Sequence, residues 1–335
     1  MSNIRFFICL AIAAICVAAA ALLFHSEYFF YAGYVVLQYV VLATAWNILG
    51  GYAGYVNFGT AAFFAIGAYS TAAIYKLVEL PIPLFVIIAA VICGVVGLGV
   101  GYLTLRLKGV YFSIATLALS IVVQTLITNW DYVGGSRGTY VIVNDEFALF
   151  GGLVPFLFMN MLGLVVITTT VARGIERSDF GFGLTAIKDD EQAAGASGVP
   201  TLRLKLIATS LSGSFMGMAG SLLPFYLSYL DPASSFDLAY TVNSVAMPIV
   251  GGMTGWLGPV IGAVLLATIQ QIATVTISSE ANLLIVGLLL VTFVVIAPKG
   301  ILGILQRFTM RSEGDETGKS AFDVSPVRAS NGGDK

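Results

Sequence analysis

The chain has 335 residues, of which 58% are hydrophobic and 10% charged, with a mean hydropathy of +0.93 and a formal net charge of −2. In an ordinary soluble domain nearly half the residues are apolar, so this composition excludes that class and reads as a polytopic membrane protein. The small net charge and the absence of a basic tract give no footing for nucleic acid as a partner, and the lipid bilayer is the expected surrounding.

Residues 4 to 24 form the first apolar run, behind a single basic residue, Arg5. The run is long enough to cross ~30 Å of hydrocarbon, whereas the apolar region of a signal peptide spans only ~7–15 residues. An uncleaved first span is therefore expected, with a cleaved signal as the alternative. A charge-free run from 28 to 75 follows, about twice the ~20 residues that one crossing needs. It should hold two crossings, divided at the glycine cluster GGYAG (50–54), where a tight turn costs least. Runs at 80–105, 109–130 and 147–172 provide one crossing each, and so does 206–230. The run 238–279 is again double and is interrupted by GGMTG (251–255), and 281–298 closes the series at ten. Long unbroken apolar runs without period-2 alternation mean helices rather than barrel strands. The expected fold class is thus an all-α polytopic membrane protein of about ten transmembrane helices. Residues 1–311 make the membrane domain, and 312–335, polar and rich in Gly, Ser and Asp, make a disordered cytoplasmic tail.

Charge parity orients this scheme. With the N-terminus in the cytoplasm, fourteen of the sixteen basic residues fall on the inner side, and only Lys76 and Arg137 fall outside. Both termini are then inside, and 174–204 is the longest inner loop between spans. The pairs Gly97/Gly101 and Gly213/Gly217 have the small-xxx-small spacing of close helix contacts. The likeness of GGYAGYVNFG (50–59) to GGMTGWLGPV (251–260) fits either an internal repeat or two independent turns.

The chemistry available is sparse. Cys9, Cys16 and Cys93 all lie in apolar runs without paired ligand spacing, and read as packing residues rather than metal ligands. No Asp, Glu, Lys or Arg stands inside a predicted span, which argues against a proton-driven carrier. Asn47, Asn57, Thr60, Gln124, Thr128 and Asn243 could line a path for a small solute, or could simply bond helix to helix. GGSRG (134–138) fits the G-x-S-x-G nucleophile elbow, but Ser136 would need a strand-turn-helix setting and a base, and the only histidine is His25. A glycine-rich loop is the plainer reading of that segment. No G-x-x-x-x-G-K-[ST] phosphate loop is present, so any ATP drive must come from another subunit.

One segment, AIKDDEQAAGASGVP (186–200), is densely charged and then small. Asp189 is suited to N-cap a helix, with Gln192 as the reciprocal member of a capping box. Gly198 suits the left-handed residue after the helix, and Pro200 stops it. About eight residues, ~12 Å, are too few to hold as a helix alone. The helix needs a surface, either a partner's groove or its own membrane domain.

FGLTAIKDDEQAAGASGV resembles the cytoplasmic coupling segment of ABC importer permeases, with the E-x-A-A-x-x-x-G core at Glu191, Ala193, Ala194 and Gly198. GGYAGYVNFGTAAFFAIGAY (50–69), RLKGVYFSIATLAL (106–119), GGMTGWLGPVIGAVLL (251–266) and APKGILGIL (297–305) are similar, in the same order, to the LivM branch of the branched-chain amino acid permeases. The chain departs from that pattern at Phe182 and Leu184, where basic residues are frequent, and at Asn57 and Thr60, where histidine or serine is. The resemblance implies an ABC importer permease fold in a bacterial inner membrane, with Ala186, Asp189, Asp190, Glu191, Ala193, Ala194 and Gly198 at the junction with an ATPase. It also implies a second, LivH-like permease, two LivG- or LivF-like ATPase subunits and a periplasmic amino-acid-binding protein. ATP and Mg would be used by those ATPases, with no cofactor on this chain. Leu, Ile and Val or related amino acids are the implied solutes. Sister permeases for urea and short amides share the scaffold and give the alternative.

Overall fold

A computed structural model describes residues 3–24, 27–107, 109–143 and 152–276, with isolated residues at 287–288, 291 and 300–303. The chain begins with helices α1 (Asn3–Phe24), α2 (Glu27–Gly50), α3 (Thr60–Tyr75), α4 (Ile82–Thr104) and α5 (Val110–Thr128). After a short strand β1 (Thr139–Tyr140) come α6 (Leu153–Glu176), α7 (Asp179–Asp189), α8 (Glu191–Ala196) and α9 (Thr201–Ser221). Then follow α10 (Leu223–Leu227), strand β2 (Tyr229–Leu230), α11 (Pro232–Ser235), α12 (Leu238–Gly251) and α13 (Leu257–Thr276).

Among the described residues six helices are long and apolar enough to cross a membrane: Glu27–Gly50, Ile82–Thr104, Val110–Thr128, Leu153–Glu176, the continuous Thr201–Leu227, and Leu257–Val275. Arg5–Ala19 and Thr60–Tyr75 are shorter apolar helices. Most of the run expected to cross at 281–298, and the expected tail at 312–335, lie outside the described residues. Both glycine clusters end helices, because Gly50 closes α2 and Gly251 closes α12. The first is not the tight turn that its sequence suggests. Residues 51–59 form an irregular nine-residue connection with Gly54 at φ +75°, while 252–256 turn more sharply from Gly252 at φ +116°.

The centre of the bundle is α2, which packs against α6, α9, α12 and α13 and buries Trp46, Tyr34 and Leu42. Beside it α3, α4 and α9 meet at very short range. A Cβ on Gly67 would lie 2.1 Å from the Gly217 carbonyl oxygen, and one on Gly217 would lie 2.3 Å from the Cys93 sulfur. The small-xxx-small reading thus holds for α4 and α9, and no side chain could enter without parting the helices. Cys93 is a buried packing residue whose thiol donates to the Phe63 carbonyl at 3.4 Å, and Cys9 and Cys16 are exposed.

The connections gather in two groups. Trp256 packs on Phe6 and takes Glu176 Oε2 on its backbone N–H at 3.0 Å, and Lys188 reaches Gly51. In the other group Lys76 donates to the Tyr132 carbonyl, Tyr75 to that of Ile142, and β1 pairs antiparallel with β2.

Candidate functional site

The charged segment is built from two helices rather than one. Ser178 opens α7 by accepting from the Gly181 N–H at 3.3 Å, and the eleven residues of α7 bury Leu184 and Ile187 against the bundle. This helix runs through Asp189, so Asp189 cannot be the N-cap that its spacing suggests. The cap is Asp190, held extended at φ −157°, whose carboxylate accepts from Gln192 N at 2.8 Å and Ala193 N at 3.1 Å. With the cap moved on by one, Gln192 loses the capping-box position, and α8 is six residues long instead of about eight. Asp189 is already committed to α7, which starts from its Ser178 cap, so the cap of α8 falls to Asp190.

The far end of α8 follows the sequence expectation. Gly198 is left-handed at φ +87°, its N–H bonds the Gly195 carbonyl, and Val199 N–H reaches back to Ala194 at 3.0 Å. These are the two bonds of a Schellman stop. Ala194 is buried against the protein's own membrane domain, Ala186 is half-buried, and Asp189, Asp190, Ala193 and Gly198 are exposed. The helix therefore rests on its own domain with one face and presents small and acidic residues with the other.

Glu191 fixes the start of α8. Its carboxylate pairs with Lys205 Nζ at 2.5 Å and accepts from the Tyr55 hydroxyl, also at 2.5 Å. Lys205, on the first turns of α9, is 2% exposed, and its ammonium also donates to Tyr55 Oη at 3.1 Å and to the Leu105 carbonyl at 3.3 Å. All three ammonium protons thus have an acceptor, which is what lets a lysine be buried at all. Burial, followed by the adjoining Glu191 carboxylate, holds the Tyr55 phenol above its ordinary range, so it stays a donor. Lys188 adds a second grip, donating to Gly51 O at 2.8 Å. Between 53–58, 109–113 and 187–192 lies a groove of about 700 Å³.

Tyr55, Lys188 and Lys205 were not singled out by motif or spacing. Lys205 lies fourteen residues from Glu191 and Tyr55 lies 136 away, separations that carry no local signal.

The polar residues within the spans are scattered. Asn57 turns back on itself, its Oδ1 accepting from Gly59 N at 2.8 Å, and its carbonyl accepts from Trp46 Nε1. Thr60, next to it at the start of α3, is fully buried with an unpartnered hydroxyl. Asn47 Nδ2 donates to Gly255 O at 3.4 Å, and its Oδ1 has no partner. Gln124 and Thr128 are joined at 2.8 Å on α5, and Gln124 reaches Pro232. Asn243 bridges Tyr39 and Gln270 at 3.2 and 3.0 Å, a link between α2, α12 and α13. Of these residues only Gln124 and Thr128 are bonded to each other, through the Gln124 backbone carbonyl.

Ser136 is exposed in a 3-10 turn, Gly135–Arg137, that leads into β1. That is not the strand-turn-helix of a nucleophile elbow, and His25 lies outside the described residues. The glycines there have a backbone reason: Gly138 has φ +72°, and a Cβ on it would lie 2.5 Å from the Leu230 carbonyl.

The family model described as branched-chain amino acid transport system, permease component, matches residues 28–294. The chain is 28% identical over 289 residues to the high-affinity branched-chain amino acid transport system permease protein LivM of Escherichia coli strain K12, covering 79% of this chain and 67% of that one. It is 26% identical to the probable branched-chain amino acid transport permease protein LivH of Methanocaldococcus jannaschii, with 74% and 83% covered. The L-arabinose transport system permease protein AraH of Escherichia coli strain K12 is 27% identical over 202 residues, with 55% and 60% covered. No solved structure matches the chain.

Proposed function

The chain belongs to the branched-chain amino acid transport permease family, and on that premise we propose that it is the membrane-spanning half of an ATP-driven importer for Leu, Ile, Val or related amino acids. In this reading it works in the inner membrane of a bacterium. Its companions are a second homologous permease, two ATPase subunits and a periplasmic binding protein. The chain itself binds no nucleotide, and ATP and Mg act on the ATPases.

The observation that carries this reading is α8. It is a six-residue helix, capped at both ends, resting on its own domain through Ala194 and presenting Gln192 and Ala193 outward, with Asp189 exposed at the end of α7 just before it. Ala186, Asp190, Glu191 and Gly198 complete the junction. A helix so short is stable only when packed on a surface; Ala194 supplies that inward contact, and the exposed small and acidic face is the one assigned here to a partner. ATP-driven closure of the ATPases pushes on α8, and the two permeases alternate a central path between the two sides of the membrane. Asn47, Asn57, Thr60, Gln124, Thr128 and Asn243 are the polar side chains on hand for that path. The ten-crossing arrangement with both termini inside accords with two groups of connections, since residues assigned to one side by charge contact one another. Ser136 takes no part.

A relative at 27% identity is named for L-arabinose, which supports testing solutes other than branched-chain amino acids. Urea and short amides, the solutes of sister permeases that the resemblance brings in, are the competing ones. The test is the melting temperature of the purified cognate binding protein, followed by uptake into vesicles holding the whole assembly. Leu, Ile or Val should raise that temperature most and be accumulated only with ATP. A rise with urea or acetamide alone would replace the solute while leaving the importer. ATP-independent uptake would overturn the importer itself.

A further inference from the structure

Residues 51–59 have no regular structure, yet their side chains and backbone are bonded to three helices and to the segment containing α8. Trp46 on α2 donates to Asn57 O at 2.8 Å. On α5, Ser113 donates to Val56 O at 2.8 Å, and Thr116 accepts from Phe58 N at 3.0 Å. On α12, the Thr241 hydroxyl lies 3.4 Å from Phe58 O and accepts from Ala61 N at 3.1 Å. On the remaining side Lys188 holds Gly51, and Glu191 holds Tyr55.

We infer that the 51–59 loop is the transmission that passes displacement of α8 to α5 and α12, and that Tyr55 and Lys205 are the positioning residues that engage it. The inference rests on α8 being the helix that meets the ATPase. Lys205 belongs to α9, which packs on α2, α3 and α4, so its ammonium is a fixed post. Around that post the Glu191 carboxylate and the Tyr55 hydroxyl are held 2.5 Å apart. A shift of α8 that pivots about this post, keeping the Glu191–Lys205 pair, must then either break the Glu191–Tyr55 hydrogen bond or carry Tyr55 with it. Carrying Tyr55 costs less, because the groove of about 700 Å³ beside the loop, walled by Val110 and Ser113, leaves space for it to move. Hydroxyl bonds to Ser113, Thr116 and Thr241 then pull on α5 and α12.

The experiment uses the complete assembly in vesicles, with radiolabelled leucine as the solute. Tyr55→Phe and Lys205→Met should still co-purify with the ATPases in the unaltered ratio. Each should import at least about fivefold less leucine per ATP hydrolysed, the size of a modest coupling energy between sites. The reversed pair Glu191→Lys with Lys205→Glu should regain part of the loss. Unchanged leucine per ATP in Tyr55→Phe and Lys205→Met would overturn the inference. If Lys205→Met fails to assemble, Tyr55→Phe decides alone, since it removes one hydroxyl and leaves the ion pair. If the unaltered chain does not bind the ATPases, the reading of α8 fails, and the inference falls with it for that separate reason; if it binds them but does not import leucine, the same ratio is measured with the solute that the cognate binding protein takes.

Discussion

Gly198 has φ +87° and nothing within 4 Å of where a Cβ would stand. Space is therefore no obstacle to a larger residue, and conformation is. A β-branched side chain in the left-handed region costs roughly 1–2 kcal/mol or more, enough to release the last turn of so short a helix. Gly198→Val should leave the amount of protein in the membrane and its melting temperature within the ordinary spread of surface substitutions, while ATP-dependent uptake falls at least about tenfold. Uptake equal to the unaltered protein would show that the Schellman stop is dispensable. At this scale the sequence was read well where a residue's own backbone demand decided the outcome, as at Gly198. It was read wrongly by one position at Asp189 and Asp190, because either can cap and only the reach of α7 chooses between them.

Helices were legible as long as the apolar run was the signal. The boundaries at Gly50 and Gly251 were visible in the glycine clusters, whereas the nine irregular residues after Gly50 were not. Those residues are fixed by Thr116, Thr241, Lys188 and Glu191, all distant in sequence. The closest helix contacts also show how strongly an element can depend on a missing side chain. Gly217 faces the Cys93 sulfur on α4, and its carbonyl sits against Gly67 on α3. Gly217→Leu must separate α9 from α4, and overpacking of this kind typically costs about 1–3 kcal/mol. The expected result is a lower melting temperature in detergent and less protein in the membrane. Gly99→Leu, on α4 with nothing within 4 Å, should leave both unchanged. Equal behaviour of the two variants would contradict the close packing of α4 and α9.

For the whole molecule, the parity of charged connections supplies a test that needs no partner. In a chain stripped of Cys9 and Cys16, Ser136→Cys should react with a membrane-impermeant maleimide added to intact spheroplasts, and Ser197→Cys only after the membrane is opened. Both positions are exposed in the structure, so a silent site would not reflect burial. Labelling of Ser197→Cys from outside would reverse the orientation. The all-helical membrane class could be read from composition because lipid imposes one solution on every backbone polar group; of the ten expected crossings, six correspond to long apolar helices among the described residues. The Tyr55, Glu191 and Lys205 cluster could not be read that way, since it joins the 51–59 connection to α8 and α9, parts of the chain as far as 150 residues apart.

The glycine contacts among α3, α4 and α9 also decide where strain can be relieved. Where backbones touch with no layer of side chains between them, sliding one helix past another would need the chains themselves to part, so shear is blocked there. By contrast, α5 is largely unburied and is tied to the 51–59 loop by two hydroxyls, each able to exchange its partner for another at small cost. Helices α3, α4 and α9 thus form a stiff wedge with α5 as a compliant edge, and under the proposed coupling a push on α8 would be spent at that edge.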